Sequence, residues 1–516
     1  MTNTQNRTTS GRAVEAGEAL YAISALALRH SFEFSWWAMK SAYNSAYHAV
    51  WRDAPASEEM LHKDHEKNKE RSLAEFHQKK NKGQLSLGGK TTSHLFRPRR
   101  EETTKLESLG NFDKVLSIDT TNKIAHVGGM ISFYDLAQET LKYGLLPKIV
   151  PELIKLTPGG VEAGMGIESS SFKYGLFHKI VTEMEILTGK GEIVTATKDN
   201  EYRDLFYGMP NSYGTLGYAV SLKIELMEAG PYVKLEHSQF HDLKSYFSAI
   251  ESASHQTDKY NFIDGAIFSP DLMVMTTAKF VDEAPFTSNY RQKGVYYKSM
   301  QEKSGDFLTT SDYLWRWDAD SFWSTEKPAI LQNPYFRYLA GEVVLRSDRL
   351  KMFAKEAHEY HKNCLKLIGA LCGNQTQKYQ ESIIQDLGIP IENCADFTKW
   401  MGENIGYPMW VCPTRDPVSE EKYPLWNFGE GKLICDIGFY GSKRTAIKHE
   451  KDHFTRQIED KTVEAGGKQS LYAKVRLPAE KFRLYYYGDG AYEKLKEEYD
   501  PEGHFPTLLD KCTPGR

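Results

Sequence analysis

Between Gln84 and Met227 apolar positions alternate with polar ones in short runs, "VLSIDTTNKIAHVGG", "GLLPKIVPEL", "VTEMEILTGKGEIVTA" and "GTLGYAVSLKIELM", each punctuated by glycine or proline. Alternation with period two marks strands that bury one face. Gly189-Lys190-Gly191 separates two such runs and predicts a hairpin. One interval breaks the period: "SFYDLAQETLKYG", Ser132 to Gly144, opens on a capping serine and closes on glycine, so it predicts a helix. The region is α+β.

From about Tyr232 to Asp460 the chain turns to longer loops and aromatic clusters, including "YLWRWDADSFWS" and "GYPMWVCP", and reads as a second domain whose sheet and helices cover the first. The tail has helical periodicity from Tyr492 to Glu498 and a turn at Asp500-Pro501. At the other end, residues 12–52 are helix-compatible and rich in aromatics, Trp36, Trp37 and Trp51 among them, but their apolar run stops at Arg29 and His30. That is short of the roughly twenty apolar residues a bilayer requires. No signal-peptide pattern is visible either. Such a helix suits a membrane interface or a docking site on protein, and amphipathicity does not choose between them. Ser57 to Lys82 is charge-rich and reads as a solvated helix or linker.

Composition narrows the class. A chain of 516 residues exceeds one ordinary core. Charged residues make up 26% with a formal net charge of −4, a balance with no global nucleic-acid signature, so a basic phosphate-tracking surface is not implied. The six cysteines lack CxxC pairing and read as reduced structural thiols of a cytoplasmic protein. His358 and His361 in "HEYH" are too close for a zinc-binding HExxH helix, so no metal site is expected.

The candidate chemistry lies in "TPGGVEAGMGIESSSFKYG", residues 157–175. Gly159, Gly160, Gly164 and Gly166 permit close backbone approach, and Ser169, Ser170 and Ser171 add hydroxyl donors, a set suited to a pyrophosphate. The spacing matches neither the Rossmann fingerprint nor a Walker loop. Two further stretches share its character: "SLGGKTTSHLF" from Ser86, and "NSYGTLGYAVSLKIEL" from Asn211.

The order of these pieces resembles the flavoproteins of vanillyl-alcohol-oxidase type. It runs through Thr157-Gly159-Gly160, Tyr174-Gly175, Gly191 to Val194, Asp204 to Phe206 and Gly214 to Gly217, with "YEKLKEEYDPEGHF" as a closing segment. Within that family "GMGIESSSFKYGLF", "NPYFRYLAGE", "YPMWVCP", "DIGFYG" and "FPTLLDKC" are most similar to the Δ24-sterol reductases and their bacterial lipid-reducing relatives. The resemblance implies a two-subdomain FAD-binding domain at 83–230 and an α+β substrate (cap) domain at 231–469. It also implies a C-terminal segment, 470–516, that returns to the first domain, while residues 1–82 form a helical extension.

It implies FAD, noncovalent because no histidine-bearing phosphate turn is present, held by Gly88, Gly89, Thr92, Ser93, Gly159, Gly160, Gly166, Ser169, Ser170, Gly175 and Gly217. NADPH is the implied electron donor and a lipid alkene the implied substrate. Lys474 is the candidate for the flavin N1 side, and Tyr472, Tyr407 and Glu168 are candidates for the proton donor. Peripheral membrane contact through 12–52 fits a lipid substrate. Two other classes stay open: an FAD oxidase or dehydrogenase of an alcohol or sugar, favoured by "YAK" at 472–474, and a lipid-binding protein without turnover.

Overall fold

The computed structural model describes residues 57–89, 103–324, 326, 329–338, 345–347, 379–416, 422–429 and 431–513. Thr92, Ser93, the aromatic segment 12–52 and the "HEYH" pair lie outside them. The chain divides into two compact units, one of 61–348, 380–443 and 449–516, the other of 1–60, 349–379 and 444–448. The larger unit carries the architecture that follows.

The charge-rich segment is a helix, Glu58–Lys79, with His65, Ser72 and Phe76 buried. It is the solvated helix that the sequence suggests, most of its residues exposed or half-buried, and Phe76 anchors it: its ring packs edge-on against Phe505 and lies over Gly191, whose Cβ would come 2.7 Å from it. Two short parallel strands follow, β1 (Leu85–Leu87) and β2 (Thr104–Leu106). The alternating runs then form β3 (Val115–Asp119), β4 (Ile124–Gly128), β5 (Leu145–Pro147), β6 (Val181–Thr188), β7 (Ile193–Thr197) and β8 (Gly217–Glu228). They make a six-stranded sheet of order β3-β4-β8-β6-β7, with β5 also on β8. The Gly189–Gly191 hairpin joins β6 to β7, and helix Phe133–Leu141 is capped by Ser132 accepting from the Asp135 amide, as the sequence predicts. The glycine stretch is itself helical over Pro158–Gly164, turns at Met165 in left-handed conformation, and forms a second short helix, Ser171–Tyr174.

The second sheet has eight strands, β9 (Tyr232–Phe240), β10 (Phe262–Ser269), β11 (Leu272–Val281), β12 (Gly305–Thr309), β13 (Tyr379–Pro390), β14 (Met409–Arg415), β15 (Leu433–Thr445) and β16 (Lys468–Gln469). Their order is β12-β9-β11-β10-β14-β15-β13-β16. Helices Leu243–Ser254 and Ile391–Asn404 cover one face, where Tyr246, Ile250, Phe397 and Met401 pack on Ile263, Val411 and Ile437. Because strand side chains alternate, the opposite face receives Asp264, Trp410, Cys412, Asp436, Gly438 and Tyr440. Register confirms the row: Trp410 pairs Gly438 and Cys412 pairs Asp436. A buried sheet face bearing carboxylates is unusual and needs partners.

The tail returns to the first sheet through the turn before β8: Tyr492 bonds Thr215 at 3.0 Å and Lys496 donates to the Thr215 carbonyl at 2.8 Å. Cys394, Cys412 and Cys435 are free and buried, and Cys512 is buried as well. Among the described residues no helix is long and apolar enough to cross a membrane.

Candidate functional site

A cavity of about 650 Å³ opens between the first sheet's loops and the carboxylate-bearing face of the second. Glycine builds one wall: Gly88 and Gly89 after β1, Gly129 after β4, Gly159, Gly160 and Gly164 on the short helix, then Gly166, Gly214 and Gly217. Two of them show why no side chain is tolerated. A Cβ on Gly129 would stand 2.0 Å from the Ala219 carbonyl oxygen, and Gly89, at φ +69°, would put one 2.6 Å from that of Glu107. The Gly159 amide donates to the Gly129 carbonyl at 2.9 Å, so helix and sheet edge meet backbone to backbone.

The far end is different. Phe322 stacks on Tyr440 with ring centroids 4.4 Å apart, and Trp410 closes beside them. Tyr440 donates to Asp386 Oδ1 at 2.6 Å, and Tyr472 lines the cavity beside it, its phenol raised by burial and then by the charge of the same carboxylate. Gly438 leaves the room that Asp386 occupies: a Cβ there would lie 2.8 Å from its Oδ1. Burial pushes Asp386 up to about 6, against the lowering effect of the two phenols. Glu152 lines the same end, 5% exposed, with no partner for Oε1 among the described residues. Burial, then repulsion from Glu168, raises it well above the usual range.

Residues 77–197 match the family described as FAD binding domain. The chain carries an FAD binding domain. Over most of its length it is similar to Delta(24)-sterol reductases: that of Homo sapiens is 28% identical over 418 residues, covering 78% of this chain and 76% of that protein. The protein of that name from Arabidopsis thaliana is 28% identical over 448 residues, covering 79% and 76%. Cytokinin dehydrogenase 1 of Arabidopsis thaliana is 26% identical over 262 residues, 48% of this chain and 44% of that protein.

The residues present fit the cofactor such a domain takes. A dinucleotide needs main-chain surface for its pyrophosphate, which the glycine wall offers, and the domain's boundary at Met130, Gly159 and Gly217 faces a cavity long enough to reach the aromatic end. Gly88, Gly89, Gly159, Gly160, Gly166 and Gly217 all stand in this lining, and Gly160 is exposed to it.

Other candidates are placed elsewhere. Ser169 donates its hydroxyl to Glu168 at 2.7 Å and Ser170 to the Lys148 carbonyl at 2.7 Å, so both are spent within the protein, and neither lines the cavity. Gly175, at φ +77°, serves as the cap of helix Ser171–Tyr174. Glu168 is buried away from the lining, its carboxylate accepting from the Ser169 amide at 2.6 Å. Tyr407 packs on Gly402 of helix Ile391–Asn404. Lys474 points to Asp452, 3.3 Å away, and is absent from the lining, whereas Tyr472, two residues earlier, is in it. Sequence reasoning missed Asp386, Tyr440 and Glu152. The signal for Tyr440 was present in "CDIGFYG", where Asp436, Gly438 and Tyr440 share a strand face.

Proposed function

We propose that the protein is an FAD-dependent oxidoreductase that reduces a carbon–carbon double bond within a lipid, with NADPH as electron donor. The observation that carries this reading is the group Asp386, Tyr440 and Tyr472 at the aromatic end of the glycine-walled cavity. Similarity to Delta(24)-sterol reductases across three quarters of the chain supports it. FAD, when bound, supplies hydride transfer between a nicotinamide and one alkene carbon.

The other alkene carbon takes a proton, and the chain must provide it. Tyr472 and Tyr440 present phenols at the cavity wall, with Asp386 beneath them as the group that exchanges protons near neutrality. Phe322 and Trp410 offer a hydrocarbon a dry surface, while the raised Glu152 adds little charge to it. Lys474, Tyr407 and Glu168 leave the catalytic set, and Gly129 and Gly214 join the cofactor wall. The substrate class is an alkene embedded in an apolar chain, as in a sterol side chain or a methylene-branched fatty acyl group.

The test is an anaerobic titration of FAD-loaded protein with NADPH, followed by phospholipid vesicles bearing methylene-branched acyl chains or a sterol with an unsaturated side chain. Bleaching of the flavin band and its recovery on adding lipid are expected. A flavin that stays oxidised under NADPH overturns the donor assignment. Oxygen consumption with alcohols or sugars would favour the oxidase class, whose sequence support lay in Lys474.

A further inference from the structure

A second cavity, of about 30 Å³, lies behind the wall of the first and shares Met165, Ile167 and Ser470 with it. His178, Asp416 and Asp436 also line it. His178 sits on the turn Phe177–Ile180, whose first amide donates to the Gly166 carbonyl at 2.9 Å, so the turn is tied to the cofactor wall. The imidazole is 2% exposed and neither ring nitrogen has a partner among the described residues. Asp436 Oδ2, on β15 of the other sheet, is likewise unpartnered, in a residue 5% exposed. Buried polar atoms in that state are bridged by water when there is room, and one water needs about 10–15 Å³.

The cavity has an outer and an inner end. Outward, Asp416 pairs with Lys179 at 2.8 Å and keeps 19% of its side chain accessible. Inward, Asp436 shares a strand face with Gly438, against which Asp386 fits, and Asp386 is the first charge that perturbs Asp436.

We propose that His178, Asp436 and a bridging water deliver protons from the Asp416 edge to Asp386 and hence to the phenols of the main cavity. The inference rests on the reading of the site as an alkene reductase. In each turnover one alkene carbon gains a hydride and the other gains a phenolic proton; Asp386 restores the phenol, and a solvent proton passing His178 and Asp436 restores Asp386. No electrons move along this route. Burial raises Asp436 and lowers His178, which favours a protonated carboxyl facing a neutral imidazole, one donor and one acceptor.

The experiment uses the FAD-loaded full chain with Asp436→Asn and His178→Phe. Infrared spectra of wild type minus Asp436→Asn are expected to show a protonated carboxyl stretch that exchanges into D₂O, and His178→Phe is expected to slow that exchange about tenfold or more. His178→Asn repeats the measurement should the phenylalanine variant not fold. Stopped-flow reoxidation by methylene-branched vesicles is expected to slow about tenfold or more in Asp436→Asn, with reduction by NADPH unchanged. Absence of the carboxyl band, or exchange unaffected by either His178 variant, overturns the route. Vesicles that reoxidise no form, wild type included, overturn the alkene-reductase reading instead, and the exchange result still decides the route.

Discussion

Tyr440 and Asp386 meet at 2.6 Å across neighbouring strands β15 and β13, with Gly438 supplying the space between them. The contact couples a buried carboxyl to a phenol at the cavity wall. Asp386→Asn is therefore expected to bind FAD and accept electrons from NADPH as wild type does, yet to lose turnover by about a hundredfold or more. Stability moves the other way. Asp386 titrates at about 6 in the fold against 3.8 unfolded, so the folded state holds the proton more tightly and stability falls as pH rises through that window. The loss is on the order of 3 kcal/mol at most by pH 7.5. Thermal unfolding at pH 5 and 7.5 should show Asp386→Asn gaining on wild type at the higher pH.

The glycine wall yields a paired prediction. Gly160 is exposed to the cavity, so Gly160→Val is expected to purify without flavin and to melt where flavin-free wild type does. Gly129 abuts the Ala219 carbonyl, so Gly129→Ala must push backbone apart and is expected to cost about 3 kcal/mol of stability besides. Flavin absorbance per protein and thermal unfolding, measured together, separate the two. Equal destabilisation by both substitutions would reject the assignment of Gly160 to the ligand surface.

Lys474→Ala tests the revised reading of the "YAK" segment. Its ammonium reaches Asp452, which Arg476 also holds at 2.7 Å, so an ion pair survives the substitution. Unchanged flavin content and unchanged reduction by NADPH are expected, with a stability loss of about 1 kcal/mol or less. A large drop in reduction rate would return the lysine to the mechanism.

The contrast between Gly160 and Lys474 shows what the sequence discloses. Gly88, Gly89, Gly159 and Gly217 must admit a neighbouring backbone, and with Gly160 and Gly166 they stand out in the sequence as a glycine-rich lining, as do the hairpin at Gly189–Gly191 and the helix after Ser132. Ser169 and Ser170 looked like ligand donors because composition does not reveal that Glu168 and the Lys148 carbonyl already accept their protons. Asp386 and Tyr440 stayed hidden for a different reason. They are 54 residues apart and meet only through strand pairing, which places two ordinary polar residues in one buried row. For the helix Glu58–Lys79 the sequence shows the solvated face but not the anchor, because the apolar contact is concentrated in Phe76 rather than spread along a stripe.

That helix has a direct link to the cofactor wall, and the link titrates. Glu75 accepts from the Glu107 amide at 3.0 Å and the Ser108 amide at 2.8 Å and pairs with Lys79, while Glu107 in turn accepts from the Gly89 amide at 2.6 Å. These hydrogen bonds outweigh the desolvation cost and bring Glu75 down to about 2, from 4.5. A depressed carboxylate contributes stability that is fully present above its unfolded value and is lost as pH falls toward the folded one. Allowing for solvent screening, Glu75→Gln is expected to cost about 1–2 kcal/mol at pH 7. The difference from wild type should shrink below pH 4.5 and vanish near pH 2. Because the Gly88-Gly89 turn leans on Glu107, the variant should also bind FAD several-fold more weakly at pH 7, read by flavin fluorescence on dilution. Weakened stability with undiminished FAD affinity would mean that the turn holds its shape without the helix.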